Sequence, residues 1–282
     1  MNCAIIGSSK IAEVHAEQLA KHGVNEIIFI SRSQKKRKKI ISSVKNKISR
    51  KILLQHSDIK ILKKNIFNII CICSKTEIHD KHLNAVSGLK SIIIVEKPII
   101  SILKFKKNYQ NFMNNIYKKN RKIIVCYPYL YLAKNFKKFC KNIKKINEIN
   151  FEFQTGGKSK FKKICENLMP HALSFFHNFL KINFLKKPIK KNSLFFNKHL
   201  WRVNFNFSNT IFNFIFKENP KKKTSLILRV NDLKLVRKTK KNKGKFINYI
   251  QNYSSKKITI ISNPMEDFYD ELFKNINNKK YY

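Results

Sequence analysis

Two stretches place chemically active side chains where a ligand would be. The first reads SIIIVEKP over Ser91–Pro98. Its apolar run, Ile92 to Val95, meets Glu96, Lys97 and Pro98 without a polar spacer. Such a β-branched run predicts a buried strand of a parallel sheet. Pro98 cannot donate to a strand ladder and biases its predecessor toward extended backbone, so the strand ends there. Lys97 therefore stands at the carboxyl edge of a buried strand, the edge where open α/β sheets keep ligands. Glu96 beside it offers an ion-pair anchor; the plain alternative is an ordinary lysine in a strand-exit loop. The second stretch is CENLMPHALSFF, Cys165–Phe176. Leu168, Leu173 and Phe176 make a helical apolar stripe, and Pro170 suits a first helical turn. His171 is then placed near the start of a helix packed on a sheet, either as a core histidine or as a catalytic acid.

A third stretch has the order of a dinucleotide-binding turn. Asn2–Gly7 is a short apolar strand, running directly into a helix expected over Lys10–Lys21. The fingerprint needs small residues for the tight turn, for pyrophosphate approach and for helix packing. Here these are Gly7, Ser9 and Ala12, with Ser8, Lys10 and Ile11 completing the candidate phosphate loop. The amino end of the helix suits a phosphate. After the next strand, Glu26–Ile30, stand Ser31, Arg32 and Ser33 rather than an acid. Two hydroxyls and a guanidinium favour the 2′-phosphate of NADP over the free ribose of NAD. A further buried strand, Phe67–Cys73, exits through Ser74–Glu77, which supplies Ser74 and Thr76 as cofactor candidates. His79 and His82 follow three residues apart on a helix over Ile78–Ser87. No carboxylate or cysteine sits at a ligand spacing from them, so no metal is expected; His79 is placed near the cofactor and His82 as a packed or surface residue.

The elements that must position these residues fall into two textures. Strands alternate with helices at Gln34–Lys51, Ile78–Ser87 and Phe105–Asn120, with a short strand at Lys60–Lys63 and another at Lys122–Cys126. That alternation predicts a doubly wound parallel sheet. A connecting helix is expected over Asn135–Lys145. Then Ile149–Gln154, Trp201–Ser208 and Thr210–Phe216 alternate with period two, and Ser225–Val230, Lys234–Arg237 and Lys257–Ile261 are further strands. Strict alternation gives one wet and one dry face, hence an antiparallel sheet. An amphipathic helix over Met265–Ile276 closes the chain. The expected fold is α/β, with a Rossmann domain over residues 1–125 and an α+β domain with an open, mostly antiparallel sheet over 126–282.

Composition narrows the class. The 282 residues are 43% hydrophobic and carry a net charge of +44. The longest apolar runs are strand-sized, well short of the roughly 20 residues that span a bilayer. No basic region followed by a long apolar stretch opens the chain, so no secretory signal is expected. The six cysteines form no C-x-x-C pair, and four sit in strand-like runs, which suits a reducing cytoplasm. The lysines are spread over the whole chain together with asparagine and isoleucine. That pattern reads as compositional drift with solvated lysines; the alternative is a polyanion-binding surface. No helix-turn-helix, zinc module or RNA-binding aromatic signature accompanies the charge, so no specific nucleic-acid or membrane partner is expected.

Taken together, IIGSSKIAEVHAEQL, SKTEIHDKHLNAV, VEKPI and NLMPHALSF resemble the Gfo/Idh/MocA oxidoreductase family in order and approximate separation. The EKP tripeptide, Glu96–Pro98, is the most specific piece. The resemblance implies a Rossmann domain followed by an α/β domain with an open antiparallel sheet. It implies NAD(P)-dependent hydride transfer on the CH–OH group or carbonyl of a sugar, sugar nucleotide or polyol. By resemblance, Lys97 is the active-site lysine and His171 the acid/base histidine. Glu96 and Lys97 join the cofactor site, and Tyr127 and Asn167 line the substrate site with His171. The exposed face of the antiparallel sheet is a place for a homo-oligomer. The sequence departs from the family pattern where Asn167 replaces an Asp four residues before the His and Ala172 an Asp after it. The second and third glycines of the turn are lost, and the C-terminal region is short. A catalytically degenerate descendant that keeps the fold is the alternative reading.

Overall fold

The computed structural model of the chain describes residues 1–48, 52–105, 108–120, 122–182, 184, 189–242 and 245–276. In its first unit the apolar runs become six short parallel strands. They are β1 Asn2–Ile6, β2 Glu26–Ile30, β3 Leu53–Ser57, β4 Ile69–Ile72, β5 Ile92–Glu96 and β6 Ile123–Cys126. The helices between them are α1 Lys10–Lys21, α2 Gln34–Lys45, α3 Ile61–Lys64, α4 His79–Val86, α5 Ile102–Phe105 and α6 Tyr109–Lys119. The strand order is β3-β2-β1-β4-β5-β6, all pairs parallel. This is the order of dinucleotide-binding folds, and it reverses direction between β1 and β4, where such sheets open a ligand crevice at their carboxyl ends. Ala4, Ile6, Ile70, Ile72, Ile93 and Val95 face one way and pack with Leu83, Val86, Met113 and Ile116 of α4 and α6. Alternation turns Cys3, Ile5, Cys71, Ile94 and Glu96 to the opposite face, toward α1.

The second unit runs from Tyr127 to Asp267. It begins with α7 Pro128–Lys137, then β7 Glu148–Thr155 and α8 Lys162–Phe179. Seven strands follow, β8 Lys190–Phe196, β9 Leu200–Phe207, β10 Thr210–Glu218, β11 Ser225–Val230, β12 Leu233–Asn242, β13 Lys245–Asn252 and β14 Ile258–Ile261. They form a sheet in the order β14-β13-β12-β11-β7-β10-β9-β8, antiparallel except where β10 pairs with β7. Period-two alternation builds its core. Phe151 and Phe153 of β7, Phe205 and Phe207 of β9, and Phe212, Phe214 and Phe216 of β10 bury against Phe175, Phe176 and Phe179 of α8. Alternate residues such as Asn150, Glu152, Asn204 and Asn213 stay half-exposed on the other face.

The last helix of the described residues is α9, Pro264–Asn275. From Phe268 onward it belongs to the first unit, which otherwise comprises Met1–Cys126. The sequence reading gave all of 126–282 to the second domain. The fully buried Tyr269 and Leu272 hold the helix where it is.

Several local expectations are corrected. Lys60–Lys63 is helical rather than a strand; Asp58 accepts from the Lys60 amide at 2.8 Å and turns the chain into α3, while the edge strand lies earlier, at β3. The Gln34–Lys51 helix stops at Lys45, and its expected end, residues 49–51, lies outside the described residues. The helix expected over Phe105–Asn120 is α6, from Tyr109; residues 106–107 lie outside the described residues. The connecting helix begins at Pro128 and ends at Lys137, because Pro128 takes its first position. Strands β8 and β13 were not anticipated. Pro170 lies inside α8, eight residues after its start, and Leu173 is 41% exposed rather than part of the stripe. The helix passes through Pro170 because Ile164 and Leu168 before it, and Ala172, Phe175, Phe176 and Phe179 after it, bury on one face.

Phe151 stands at the centre of the second core, with ring centroids 5.4, 5.3 and 5.9 Å from Phe175, Phe176 and Phe214. Replacing it by Ala is expected to cost about 3–5 kcal/mol, read as a lower urea midpoint for loss of the antiparallel-sheet signal.

Candidate active site

The turn after β1 is built so that backbone meets backbone. Gly7 has φ +135°, and a Cβ there would lie 2.6 Å from the Cys73 carbonyl oxygen at the end of β4. Only glycine fits. Its amide donates to the Ile30 carbonyl at 2.9 Å, so the turn is tied to β2 as well. Ser9 precedes α1 in extended conformation and does not cap it with its side chain. Its hydroxyl instead donates to the Cys73 carbonyl at 3.3 Å. The hydroxyl is turned onto β4 and does not occupy the amino end of α1, the end that suits an anion. Ala12 is fully buried, the third small residue that lets α1 approach the sheet. The residues present fit a dinucleotide phosphate.

At the end of β2, Ser31 and Ser33 are half-buried and Arg32 is exposed. The Ser33 hydroxyl accepts from the Lys36 amide at 3.4 Å and so starts α2. Arg37, which the sequence reading did not single out, donates to the Ser31 carbonyl at 2.7 Å and the Ser57 carbonyl at 3.0 Å. It fixes the exits of β2 and β3 together. Its signal was a lone Arg among the lysines of α2.

At the exit of β4, His79 was placed beside the cofactor. It is fully buried, and its ring nitrogens face main-chain carbonyls: Nδ1 is 3.0 Å from Pro98 and 3.2 Å from Ile99, and Nε2 is 3.0 Å from Ser74. It therefore braces the loops after β4 and β5 from beneath. Ser74 and Thr76 are half-buried in the first of these loops. His82, expected as packed or surface, is 2.8 Å from the Ser74 hydroxyl through Nδ1. Burial, then the proximity of His79 and Arg32, lowers its pKa. A neutral His82 can accept from the Ser74 hydroxyl at Nδ1.

Lys97 is half-buried directly after β5. Glu96 does not turn outward with it. The residue is 8% exposed and its Oε1 lies 2.9 Å from His15 Nε2 of α1. His15 Nδ1 in turn lies 2.5 Å from the Tyr269 hydroxyl of α9, which is 3.7 Å from Cys71 Sγ. Lys97 and Cys126 are also electrostatic neighbours of the Glu96 carboxylate. Burial by itself disfavours charge on both partners. For His15 it is outweighed by Cys71 and Glu96, and the pKa rises to about 10. For Glu96 it is outweighed by His15 and Lys97, and the pKa is lowered. The pair is thus imidazolium and carboxylate. His15, Glu96 and Cys126 offer three ligand atoms within 4.8 Å of one another. In this structure His15 Nε2 and Glu96 Oε1 are hydrogen-bonded to each other, and burial pushes the Cys126 thiol up.

In the second unit, His171 lies half-buried on α8. Its ring is 4.3 Å from that of Tyr129 and 5.2 Å from that of Phe153. Arg237 donates to the Tyr129 hydroxyl at 3.3 Å and to Asn248 Oδ1 at 2.9 Å. Asn167, one turn before His171 and so on the same helix face, donates to the Ser159 hydroxyl at 2.5 Å and to Glu218 Oε1 at 3.3 Å. Glu218 is 3% exposed and also accepts from the Ser159 amide at 2.6 Å. Neither Glu218 nor Arg237 carries a motif. Tyr127 is half-buried just before α7. The first unit thus brings together the ends of β1, β2, β4 and β5, and the second brings together Asn167 and His171.

The His15–Glu96 pair fixes a pH dependence. A histidine whose pKa is raised on folding contributes stability fully below its ordinary value, and loses it as pH rises through the folded one. The melting-temperature gap between the native chain and His15→Leu should be full below the ordinary value of 6.5, shrink steadily above it and be lost once pH passes about 10. On the acid side the lowered Glu96 pKa keeps the pair intact until pH falls below the usual carboxylate range.

Residues 1–124 match the family model described as the GFO_IDH_MocA oxidoreductase family, NAD-binding Rossmann fold. No curated protein sequence matches. Among solved structures with this fold is 3-ketoreductase KijD10 from Actinomadura kijaniata in complex with TDP-benzene and NADP, at 9% identity and TM-score 0.70, covering 98% of this chain and 89% of that one. Another is myo-inositol 2-dehydrogenase from Lactobacillus plantarum, at 14% identity and TM-score 0.67, covering 100% and 89%. A third is an oxidoreductase from Agrobacterium radiobacter in complex with NAD+, L-tartaric acid and magnesium, at 13% identity and TM-score 0.64, covering 100% and 89%. Residues 1–124 thus carry the NAD-binding Rossmann fold of the Gfo/Idh/MocA oxidoreductase family, whose model they match.

Proposed function

We propose that this protein is an NADP-dependent oxidoreductase acting on the CH–OH group or carbonyl of a sugar, sugar nucleotide or polyol. The observation that carries the reading is the sheet edge itself, where the Gly7 turn, the Ser31–Ser33 loop, the Ser74–Thr76 loop and Lys97 end adjacent parallel strands. Gly7, Ser8, Ser9, Lys10 and Ile11 hold the pyrophosphate. Ser31, Arg32 and Ser33 hold the 2′-phosphate. Ser74, Thr76 and Lys97 complete the cofactor site. His79 and Glu96, first placed against the cofactor, support the loops that carry it.

When bound, the nicotinamide supplies the hydride chemistry. Lys97 hydrogen-bonds the reacting oxygen and stabilises negative charge developing there. His171 gives or takes the oxygen's proton; imidazole is the side chain best suited to do so near neutral pH. Tyr127 and Asn167 line the substrate site with it. The neighbours named above, a ketoreductase and an inositol dehydrogenase, support a sugar-like substrate. Six free thiols, four of them buried, favour the cytoplasm. The outer face of the antiparallel sheet, with Ile211 43% exposed, is proposed as the contact of a homo-oligomer.

A second reading, a descendant that binds nucleotide without turnover, has one observation in its favour. Ala172 is fully buried, so an Asp could not stand there without desolvating its charge. Quenching or enhancement of NADPH fluorescence, followed by a screen of sugars and polyols, separates the readings. Under the first, turnover is found, Lys97→Ala lowers it by about 100- to 1,000-fold, and the NADPH dissociation constant stays close to that of the native chain. Turnover that survives Lys97→Ala excludes this mechanism; binding without turnover on any compound favours the second reading. Arg32→Ala should weaken NADPH by about tenfold, one charge-assisted contact, and leave NADH unchanged; equal effects on both would remove the NADP preference.

A further inference from the structure

The buried chain Tyr269–His15–Glu96 is not used by the reaction as proposed, yet it ends on the residue before Lys97. Its members come from three separate elements. His15 lies on α1, one turn after the candidate phosphate loop. Glu96 closes β5. Tyr269 lies on α9, 254 positions along the sequence from His15. All three are nearly or fully buried, at 0% for His15, 8% for Glu96 and 0% for Tyr269.

Stability alone does not account for such an arrangement. Removing two charges from water costs several kcal/mol per ion, and apolar residues of similar volume often stabilise a core as well or better. What an apolar core would not provide is a fixed place for one main-chain segment. The Glu96 carboxylate is held by His15 Nε2 at 2.9 Å, and Lys97 is the next residue along the main chain. The Tyr269 hydroxyl sets the imidazole through Nδ1, so Nε2 points at Glu96. His79 meets the same segment from the opposite end, at the Pro98 and Ile99 carbonyls.

We infer that His15 and Tyr269 are positioning residues, holding the Glu96 carboxylate and through it the Lys97 main chain at the sheet edge, so that the C-terminal helix is part of the catalytic apparatus of the first unit. The inference rests on the proposed role of Lys97 only for its effect on turnover; its effect on the Lys97 backbone stands apart from that role.

The test compares the full-length chain with His15→Leu, His15→Gln, Tyr269→Phe and, as a control, Leu272→Ala. Leu272 is fully buried on α9 and lies outside the hydrogen-bonded chain, so its truncation loosens the helix by packing alone. The first readout is amide exchange of Lys97, followed on the peptide spanning 92–100 under native conditions. His15→Leu and Tyr269→Phe should speed it by about tenfold, one lost hydrogen bond of ordinary net strength. His15→Gln, which keeps an N–H for Glu96, should recover part of the protection. Leu272→Ala should leave the Lys97 amide unchanged at an equal or greater loss of melting temperature. The second readout is turnover with NADPH on the compound found by the sugar and polyol screen. The same two variants should lower kcat by about tenfold, with KM for NADPH within about twofold of the native value.

Unchanged Lys97 exchange in both variants overturns the inference. So does an equal acceleration in Leu272→Ala, which would reduce the chain to a packing element. A stoichiometric metal lost from His15→Leu also overturns it, since Nε2 would then be a ligand rather than a donor. If the native chain shows no turnover, the proposed function fails, and the exchange experiment still decides the inference.

Discussion

A carboxylate with almost no access to water must be matched by donors, and Glu96 sets that demand at the end of a strand of isoleucines. The surrounding structure is the response. The helix after the first strand turns an imidazole inward rather than another alanine or leucine. The last helix returns to the first unit and places a phenol against that imidazole. The following residue is Lys97, whose positive charge helps to hold the carboxylate ionised. A buried ion is tolerated only with this degree of pairing. The cost is met where the chain needs a fixed main-chain position.

The same logic runs along the whole carboxyl edge of the parallel sheet. Strands that end there leave carbonyl groups without ladder partners, and each must find a donor. A glycine-rich edge would let main-chain amides do this, but the chain has only six glycines. Side chains take over. Ser9 donates to Cys73, Arg37 to Ser31 and Ser57, and His79 faces Ser74, Pro98 and Ile99. Gly7 is kept where no side chain substitutes, because a Cβ would strike the Cys73 carbonyl. The weakened glycine fingerprint is therefore accompanied by a set of side-chain braces that hold the same loops.

How far the sequence discloses this follows from the range of each interaction. Apolar runs and period-two alternation are local, so the parallel and antiparallel sheets were legible, as was the edge position of Lys97. Pro170 misled because its cost is local while the reward is not. The lost backbone bond and the ring's approach to the Glu166 carbonyl are repaid by burial of Phe175, Phe176 and Phe179 further along α8. Strand β8 was missed because every residue in it is exposed, so it has no dry face to print an alternation. The Glu96–His15–Tyr269 chain was invisible for a different reason. Its members stand 81 and 254 positions from His15, and nothing in a linear pattern pairs a histidine on a helix with a tyrosine near the other terminus.

Charge is the last point on which sequence and structure bear together. With 60 basic residues against 16 acidic ones, a carboxylate is scarce, and its location carries information. Among the described residues, Glu96, Glu166 and Glu218 are buried. Glu96 borders Lys97, Glu166 precedes Asn167, and Glu218 accepts from Asn167. Buried acids thus gather at the two candidate stretches, while lysine runs through the whole sequence. A dispersed positive field raises the local concentration of any anion, a nucleotide phosphate included, and does so in a salt-dependent way without selecting among them. Selection requires donors and acceptors held in place, and those are found at the sheet edge rather than in the charge.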